Sequence, residues 1–290
     1  MERQTHRKLL VLGASGMLGN AVFRFFSNSP GFQTFGSIRS RSHQRLFSEE
    51  VRGNLVNLPD AENPDALLDL FADVAPDVVV NCIGLVKQLS SASDPLVAIP
   101  INAILPHRLA RLCRIAGARL IHISTDCVFD GADGNYSESS RPNAYDLYGR
   151  SKLLGEVDYD NAITLRTSII GRELNSAHSL IDWFLNQEGS VKGFTRAIFS
   201  GLPTVELARV IRDFVLPNPA LTGLYHVSAA AISKHDLLNI VAQIYAKEIR
   251  IEPDDRVGID RSLNSSRFRH ATGYEPPQWP ALIQAMHDFC

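Results

Sequence analysis

Cysteine is scarce in this 290-residue chain, and so is net charge of either sign. The four cysteines, Cys82, Cys113, Cys127 and Cys290, show no C-x-x-C spacing. A chain this long and this well supplied with apolar residues needs no disulfide framework, and reduced thiols are expected. A formal net charge of -2 creates no global field toward nucleic acid or an acidic membrane. The nine histidines form no H-E-x-x-H or similar ligand spacing, so no metal site is expected. His122 reads as a strand residue facing packing, and His226 as a structural hydrogen-bonder. No apolar run approaches the length that spans a bilayer. Repeats and low-complexity tracts are also missing. The basic start followed by Leu9–Leu12 faintly resembles a secretory leader, but Gly13 cuts the run too early. What remains is a globular protein, expected in the cytoplasm, whose 45% hydrophobic content can fill a large core.

The first half alternates short apolar runs with amphipathic segments. Leu9–Leu12, Gln33–Ile38, Asp77–Cys82, Arg119–Ser124 and Ile163–Arg166 read as strands. Met17–Phe26, Ala66–Val74 and Pro100–Ala116 read as helices. Asn63-Pro64 is a helix start, with Asn as the cap and Pro at the first helical position. Strands alternating with helices imply parallel β-α-β units, and strands apolar throughout imply a sheet covered on both faces. The fold class is therefore α/β, a doubly wound parallel sheet of Rossmann type with a smaller C-terminal lobe. The domains are expected at residues 1–168 for the nucleotide and 169–290 for the substrate, with about 204–228 threading back onto the first. In the second part Val205–Val215, Lys234–Tyr245 (capped by Ser233) and Ala281–Phe289 read as helices, and Leu224–Val227 as a strand.

Gly13-Ala14-Ser15-Gly16-Met17-Leu18-Gly19 follows the first strand directly. A dinucleotide pyrophosphate is met by backbone N–H groups at a helix N-terminus. Gly13 allows the tight turn, Gly16 close backbone approach, and Gly19 packing of helix on strand. Gly13, Ser15, Gly16, Met17, Leu18 and Gly19 are thus the cofactor candidates here. The second strand ends Ile38-Arg39-Ser40-Arg41. It lacks the carboxylate that binds a ribose 2′-OH in NAD sites. Arginine suits a 2′-phosphate through charge-assisted bonding, so NADP(H) is the expected cofactor and Arg39 its selector.

Tyr148 and Lys152 stand four residues apart, which places them on one helix face. A free tyrosine titrates near ~10, too high for easy proton exchange at neutral pH. A neighbouring ammonium favours the phenolate, and the phenol then exchanges a proton with a developing alkoxide. Ser124-Thr125-Asp126 follows the strand Leu120–Ile123, where open parallel sheets bind ligands. A Thr125 hydroxyl there polarises a carbonyl.

These residues resemble the extended short-chain dehydrogenase/reductase family, and within it the dTDP-4-dehydrorhamnose reductase branch. The likeness spans nearly the whole chain. It includes the glycine turn, Pro76–Asn81, Ile101-Asn102-Ala103, Ser124–Phe129 and Tyr148–Leu153. It continues through Leu165-Arg166-Thr167-Ser168, Gly201-Leu202-Pro203-Thr204 and Gly223–His226. The resemblance implies an NADPH-dependent reductase of a nucleotide-linked 4-keto sugar, with hydride to C4. It makes Thr125, Tyr148 and Lys152 catalytic, with Tyr148 as proton donor. Cys82, Ile83 and Gly84, with Tyr148 and Lys152, would line the cofactor, and Asn102 would shape the site. Leu85, Val86, Asp126, Arg196 and Arg261 would meet the substrate. A nucleoside-diphosphate sugar and a second copy of the chain are the implied partners, without nucleic acid or membrane.

The sequence departs from that branch in two places. Ile169 replaces a tryptophan after Arg166-Thr167-Ser168, and Arg261-Ser262-Leu263-Asn264-Ser265 lacks a stiffening proline. Both lie where the sugar nucleotide should bind, so another 4-keto sugar nucleotide, including a UDP-linked one, stays open. Cys127 stands where related dehydratases carry a glutamate, which sets dehydration aside. An epimerase and an NADP-binding regulatory subunit of a partner enzyme are the alternatives. Arg166, Arg172, Arg196, Arg261 and Arg267 are candidates for the diphosphate. Trp183 and Trp279 read as core or lobe-interface residues.

Overall fold

Strand residues Leu9–Leu12 and Val78–Val80 are completely buried, as apolar runs without alternation require. The structure is a computed structural model that describes residues 6–85, 93–174, 177 and 179–290. In chain order it begins β1 (Arg7–Leu12), α1 (Met17–Ser27), β2 (Phe32–Ile38), α2 (Glu49–Arg52), β3 (Leu55–Asn57), α3 (Pro64–Val74) and β4 (Val78–Asn81). It continues α4 (Pro95–Ala98), α5 (Leu105–Ile115), β5 (Arg119–Thr125), α6 (Leu147–Leu154) and β6 (Ala162–Thr167). Then come β7 (Ile169–Ile170), α7 (Leu180–Leu185), β8 (Ser190–Phe194), β9 (Ala197–Phe199), β10 (Leu202–Pro203) and α8 (Thr204–Val210). The chain closes with β11 (Gly223–His226), β12 (Ile232–Ser233), α9 (Lys234–Ile244), β13 (Arg250–Asp254), β14 (Ile259–Asp260), α10 (Ser266–Thr272) and α11 (Trp279–Phe289).

Seven strands form one sheet in the order β11-β6-β5-β4-β1-β2-β3. The pairs β1/β2, β1/β4, β2/β3 and β4/β5 are parallel. The doubly wound Rossmann-type class is the one observed. The order reverses between β1 and β4, the switch point at which such sheets bind ligands. Register aligns Leu12 with Asn81, and Asn81 with His122. The carboxyl ends of β1 and β4 therefore finish at one level, and β5 runs three residues further, to Thr125. Leu10, Leu12, Val79 and Leu120 share a cluster with Leu67, Leu70 and Phe71 of α3 and Leu105, Leu109 and Cys113 of α5. Val22, Phe23 and Phe26 of α1 are also fully buried. Asn63 Oδ1 accepts the N–H groups of Asp65 and Ala66 at 2.9 and 3.2 Å, with Pro64 at the first turn.

The helix expected over Pro100–Ala116 begins earlier and is less regular. A wide π-turn, Ile99–Ile104, joins α4 to α5. The stretch Pro95–Ile115 is long and apolar enough to cross a membrane by length and composition, which corrects the expectation that no segment is. Its apolar side chains Leu105, Leu109, Ala110 and Cys113 lie in the core cluster. That is the pattern of a core helix in a globular protein.

The residues group into two units. The first runs up to Ser124 and adds Asp146–Leu165 and Thr222–Leu224. The second holds Thr125–Tyr145, Arg166–Leu221 and Tyr225–Cys290. Sequence reading placed residues 125–145 with the nucleotide half. They group instead with the C-terminal residues because their backbone pairs there. Asp260 N–H donates to Gly131 O at 2.8 Å, and Tyr136 N–H to Ser262 O at 2.9 Å. Within this second unit Leu202 N–H donates to Ser168 O at 2.9 Å, joining β10 to β7. A Cβ on Gly201 would overlap that carbonyl, which explains a glycine ahead of Leu202-Pro203-Thr204.

Candidate active site

The glycine turn is built by backbone contact. Gly13 has φ +80°, a left-handed conformation that favours glycine. A Cβ on Gly19 would overlap the Gly13 carbonyl oxygen, so α1 lies directly on the turn. Gly36 of β2 would bring a Cβ within 2.8 Å of Ala14 and Phe23, a third close approach that sequence reading missed. Ser37 was also missed. Its hydroxyl accepts from Gly13 N–H at 3.0 Å, and its carbonyl accepts from Ala14 N–H at 2.8 Å.

Gly16 caps α1 without any side-chain hydrogen bond, and only the Gly13 oxygen comes near its Cβ position. The first-turn N–H groups of Met17, Leu18 and Gly19 thus face outward uncapped, the arrangement an anionic phosphate requires. Leu18 is buried, so it contributes backbone rather than side chain to this edge. Ser15 and Met17 are half-buried. Arg39, one residue past β2, is exposed. These features fit a dinucleotide.

A second cluster forms where β4 ends. Asn81 Oδ1 accepts from Ile83 N–H at 3.1 Å, and its Nδ2 donates to His122 Nδ1 at 3.1 Å. Burial pushes His122 well below its usual range, so the ring is neutral and accepts at Nδ1. Asn102, buried in the π-turn, accepts from Leu85 N–H at 2.9 Å and donates to Ser151 Oγ at 3.2 Å. Ser151 Oγ in turn donates to the Tyr148 carbonyl at 3.0 Å. A Cβ on Gly155 would overlap the Asn102 carbonyl, so α6 ends against that residue. The loop after β4 and the helix carrying Tyr148 are therefore held by one amide side chain.

Tyr148 lies half-buried in the first turn of α6, which Asp146 caps by accepting from Gly149 N–H at 2.8 Å. Lys152, one turn on, is only 6% exposed. Its ammonium donates to Ile123 O at 2.8 Å, and a Cβ on Gly84 would lie 3.8 Å from Nζ. Burial pushes Lys152 down to about 8, opposed chiefly by the charge of Glu156. Cys82 is pushed up to about 12 by burial, so it stays a neutral thiol. Glu156 was not singled out from the sequence. The signal was present, because it follows Lys152 by the same four residues that separate Tyr148 from Lys152.

Thr125 ends β5 and is buried. Its hydroxyl accepts from Cys127 N–H at 3.1 Å and donates to Asp126 Oδ1 at 3.2 Å, so it also caps a short turn. Burial raises the Asp126 carboxyl, while the Arg261 charge and hydrogen bonds from Cys127, Thr125 and Ser168 draw it back. Arg261 is half-buried and fixed by its Nε donating to Phe129 O at 2.8 Å. Arg196 is exposed, and its guanidinium lies beside Gly258. Val86, a substrate candidate, lies outside the described residues.

Three side chains are placed otherwise than the sequence led one to expect. Arg166 is buried rather than a surface diphosphate ligand; its NH1 donates to His226 Nε2 at 2.9 Å and its guanidinium lies 5.1 Å from the Phe129 ring. Arg172 is paired with Asp182. Trp183 is 39% exposed, whereas Trp279 is buried and donates to Ala230 O at 2.8 Å. A helix of six residues can bury only one side, and Ile181 and Phe184 occupy it. Among the described residues no cluster of His, Cys, Asp and Glu could hold a metal.

Comparison with known proteins adds the lineage. The mouse (Mus musculus) methionine adenosyltransferase 2 subunit beta is 35% identical over 307 aligned residues, covering 96% of this chain and 89% of that protein. The crystal structure of a hypothetical dTDP-4-dehydrorhamnose reductase from Sulfolobus tokodaii superposes with TM-score 0.76 at 26% identity, covering 94% of this chain and 98% of that one. A Bacillus anthracis dTDP-4-dehydrorhamnose reductase, solved in complex with NADP, superposes with TM-score 0.77 at 18% identity, covering 98% and 99%. Residues 7–288 match the family described as RmlD substrate binding domain, and the chain belongs to that family.

Proposed function

We propose that this protein is an NADPH-dependent reductase of a nucleotide-linked 4-keto sugar. One observation carries the reading: a buried ammonium, Lys152, is pinned one helical turn from Tyr148 and lies near Gly84 in the loop after β4. Burial disfavours the charged form of an ammonium, so one kept there beside a tyrosine is suited to tune it. Family membership and the Sulfolobus tokodaii likeness support a reductase. The NADP held by the Bacillus anthracis protein supports the cofactor.

When bound, NADPH supplies the hydride to C4. The uncapped N–H groups of Met17, Leu18 and Gly19 would hold its pyrophosphate, and Arg39 its 2′-phosphate. Lys152 would bond the nicotinamide ribose and lower the Tyr148 phenol. Tyr148 donates the proton to the sugar oxygen, and the Thr125 hydroxyl polarises that oxygen. Asp126, Arg261 and Arg196 would take the sugar nucleotide, with Arg261 oriented by the Phe129 carbonyl.

The test is NADPH oxidation with dTDP- and UDP-linked 4-keto sugars, together with Tyr148→Phe. Turnover that vanishes in this variant supports the reading, and no oxidation with any such substrate overturns it. The likeness to a named subunit of methionine adenosyltransferase 2 favours a second reading. In it the chain binds NADP and regulates a partner enzyme. Stoichiometric co-purification with a partner whose kinetics respond to NADP would select this alternative.

A further inference from the structure

Two consecutive residues of β5 hold two opposite charges of α6 and its end. Ile123 O accepts from the Lys152 ammonium at 2.8 Å. Ser124 Oγ donates to Glu156 Oε1 at 2.7 Å. Glu156 follows Lys152 by four residues, just past the Gly155 cap, where Asn102 blocks any side chain. The chain beyond α6 is thereby turned so that the carboxylate bonds the strand residue that follows the ammonium's carbonyl acceptor. Nothing in the reductase scheme above uses Glu156.

We propose that Glu156, anchored on Ser124, is a positioning residue that keeps the buried Lys152 ammonium charged and oriented for the cofactor ribose and the Tyr148 phenol. It rests on the reductase reading and deepens it. The groups that face Lys152 leave no other anion for this duty among the described residues. Cys82, at the end of β4, is a thiol pushed up to about 12. His122, on β5, is held neutral by burial. Tyr148 on the same helix is the group to be activated. Burial pulls Lys152 down to about 8, and Glu156 is the largest influence in the other direction. Without that carboxylate, burial is opposed by less, and the ammonium gives up its proton at lower pH.

The experiment compares wild type with Glu156→Gln, which keeps an oxygen for Ser124, and Glu156→Asp, which keeps the charge. The Lys152 midpoint is read by NMR on protein carrying ε-13C lysine, its signal identified by loss in Lys152→Arg. The pH dependence of NADPH binding and of turnover is measured beside it. Glu156→Gln is expected to lower the Lys152 midpoint by about one pH unit or more and to move the alkaline limbs of binding and turnover with it. Glu156→Asp should restore most of the shift. An unchanged midpoint in Glu156→Gln, or a uniform loss of activity with the limb in place, overturns the proposal. The NMR midpoint needs no substrate, so a missing reductase activity in wild type would sink the function and leave this result readable.

Discussion

Lys152 and Arg166 are both buried cations, and their surroundings differ in kind. Lys152 in the first unit has one hydrogen-bond acceptor among the described residues, the Ile123 carbonyl, and a nearby carboxylate. Arg166 in the second lies over Phe129, which stacks on Tyr136 at 4.1 Å with rings nearly parallel. It also donates to a neutral His226, whose Nδ1–H donates on to Tyr136 O at 2.9 Å. Guanidinium is weakly hydrated and never titrates, so it serves as a permanent structural cation. A lysine ammonium gives up its proton readily when buried, which suits a group that tunes a neighbour. The first environment leaves a titratable cation with one carbonyl acceptor, and the second surrounds a permanent cation with rings and a neutral imidazole.

Replacing each cation by methionine separates the two. Lys152→Met should lower turnover by ~10²–10⁴-fold while leaving the fold intact, measured as NADPH oxidation beside a urea melt. A fold lost in this variant would contradict the chemical role.

The same pair differs in pH dependence. Below about 8 Lys152 is charged in both folded and unfolded chains, and its burial is a standing cost. Between about 8 and the unperturbed 10.5 the unfolded chain holds a proton that the folded one has released. Stability therefore rises with pH across that window, by up to about 3 kcal/mol from this group. Urea titrations at pH 7 and pH 10 should show the rise in wild type relative to Lys152→Met. Parallel curves for the two proteins would refute it.

Arg166→Met should destabilise the protein by about 1–3 kcal/mol, because His226 Nε2 loses its donor in a buried site. His226, lowered to about 3 by burial and then by Arg166, also titrates in the same sense. Its unfolded form takes up a proton below 6.5 that the folded form refuses until about 3. Stability from this group is lost as pH falls through that window. A denaturation series from pH 7 to 4 should show Arg166→Met losing less than wild type, since removing the guanidinium lets the imidazole charge more easily. An equal or steeper loss in the variant would argue against the Arg166–His226 coupling.

The smallest effect concerns the exposed Arg39. Arg39→Ala should weaken NADPH binding about tenfold and leave NADH binding unchanged. Equal losses for both dinucleotides would make Arg39 a general surface charge.

Much of the architecture was legible because it depends on local pattern. The buried strands, the Asn63-Pro64 helix start and the Ser233 cap, whose hydroxyl accepts from Asp236 N–H at 3.0 Å, are signals within a few residues. The glycine turn belongs to the same class, since its constraints join Gly13 to Gly19. Less was visible in the second unit, whose strands run two to five residues. A strand that short carries no period of its own, and its pairing partner is distant in the chain. Trp183 shows the same weakness, since an aromatic residue is apolar on any scale and its exposure depends on which helix side the neighbours take.

Residue order alone settled the α/β class, the phosphate-type turn and the four-residue spacing of Tyr148, Lys152 and Glu156. Those follow from backbone geometry and helical period, which any short segment carries within itself. Folding in three dimensions settled which cation became labile and which permanent. It brought Ile123 and Ser124 to Lys152 and Glu156, and Phe129 and His226 to Arg166. Burial and hydrogen-bond partners are supplied by distant segments, and they set the charge of a side chain that its own neighbours in sequence leave open.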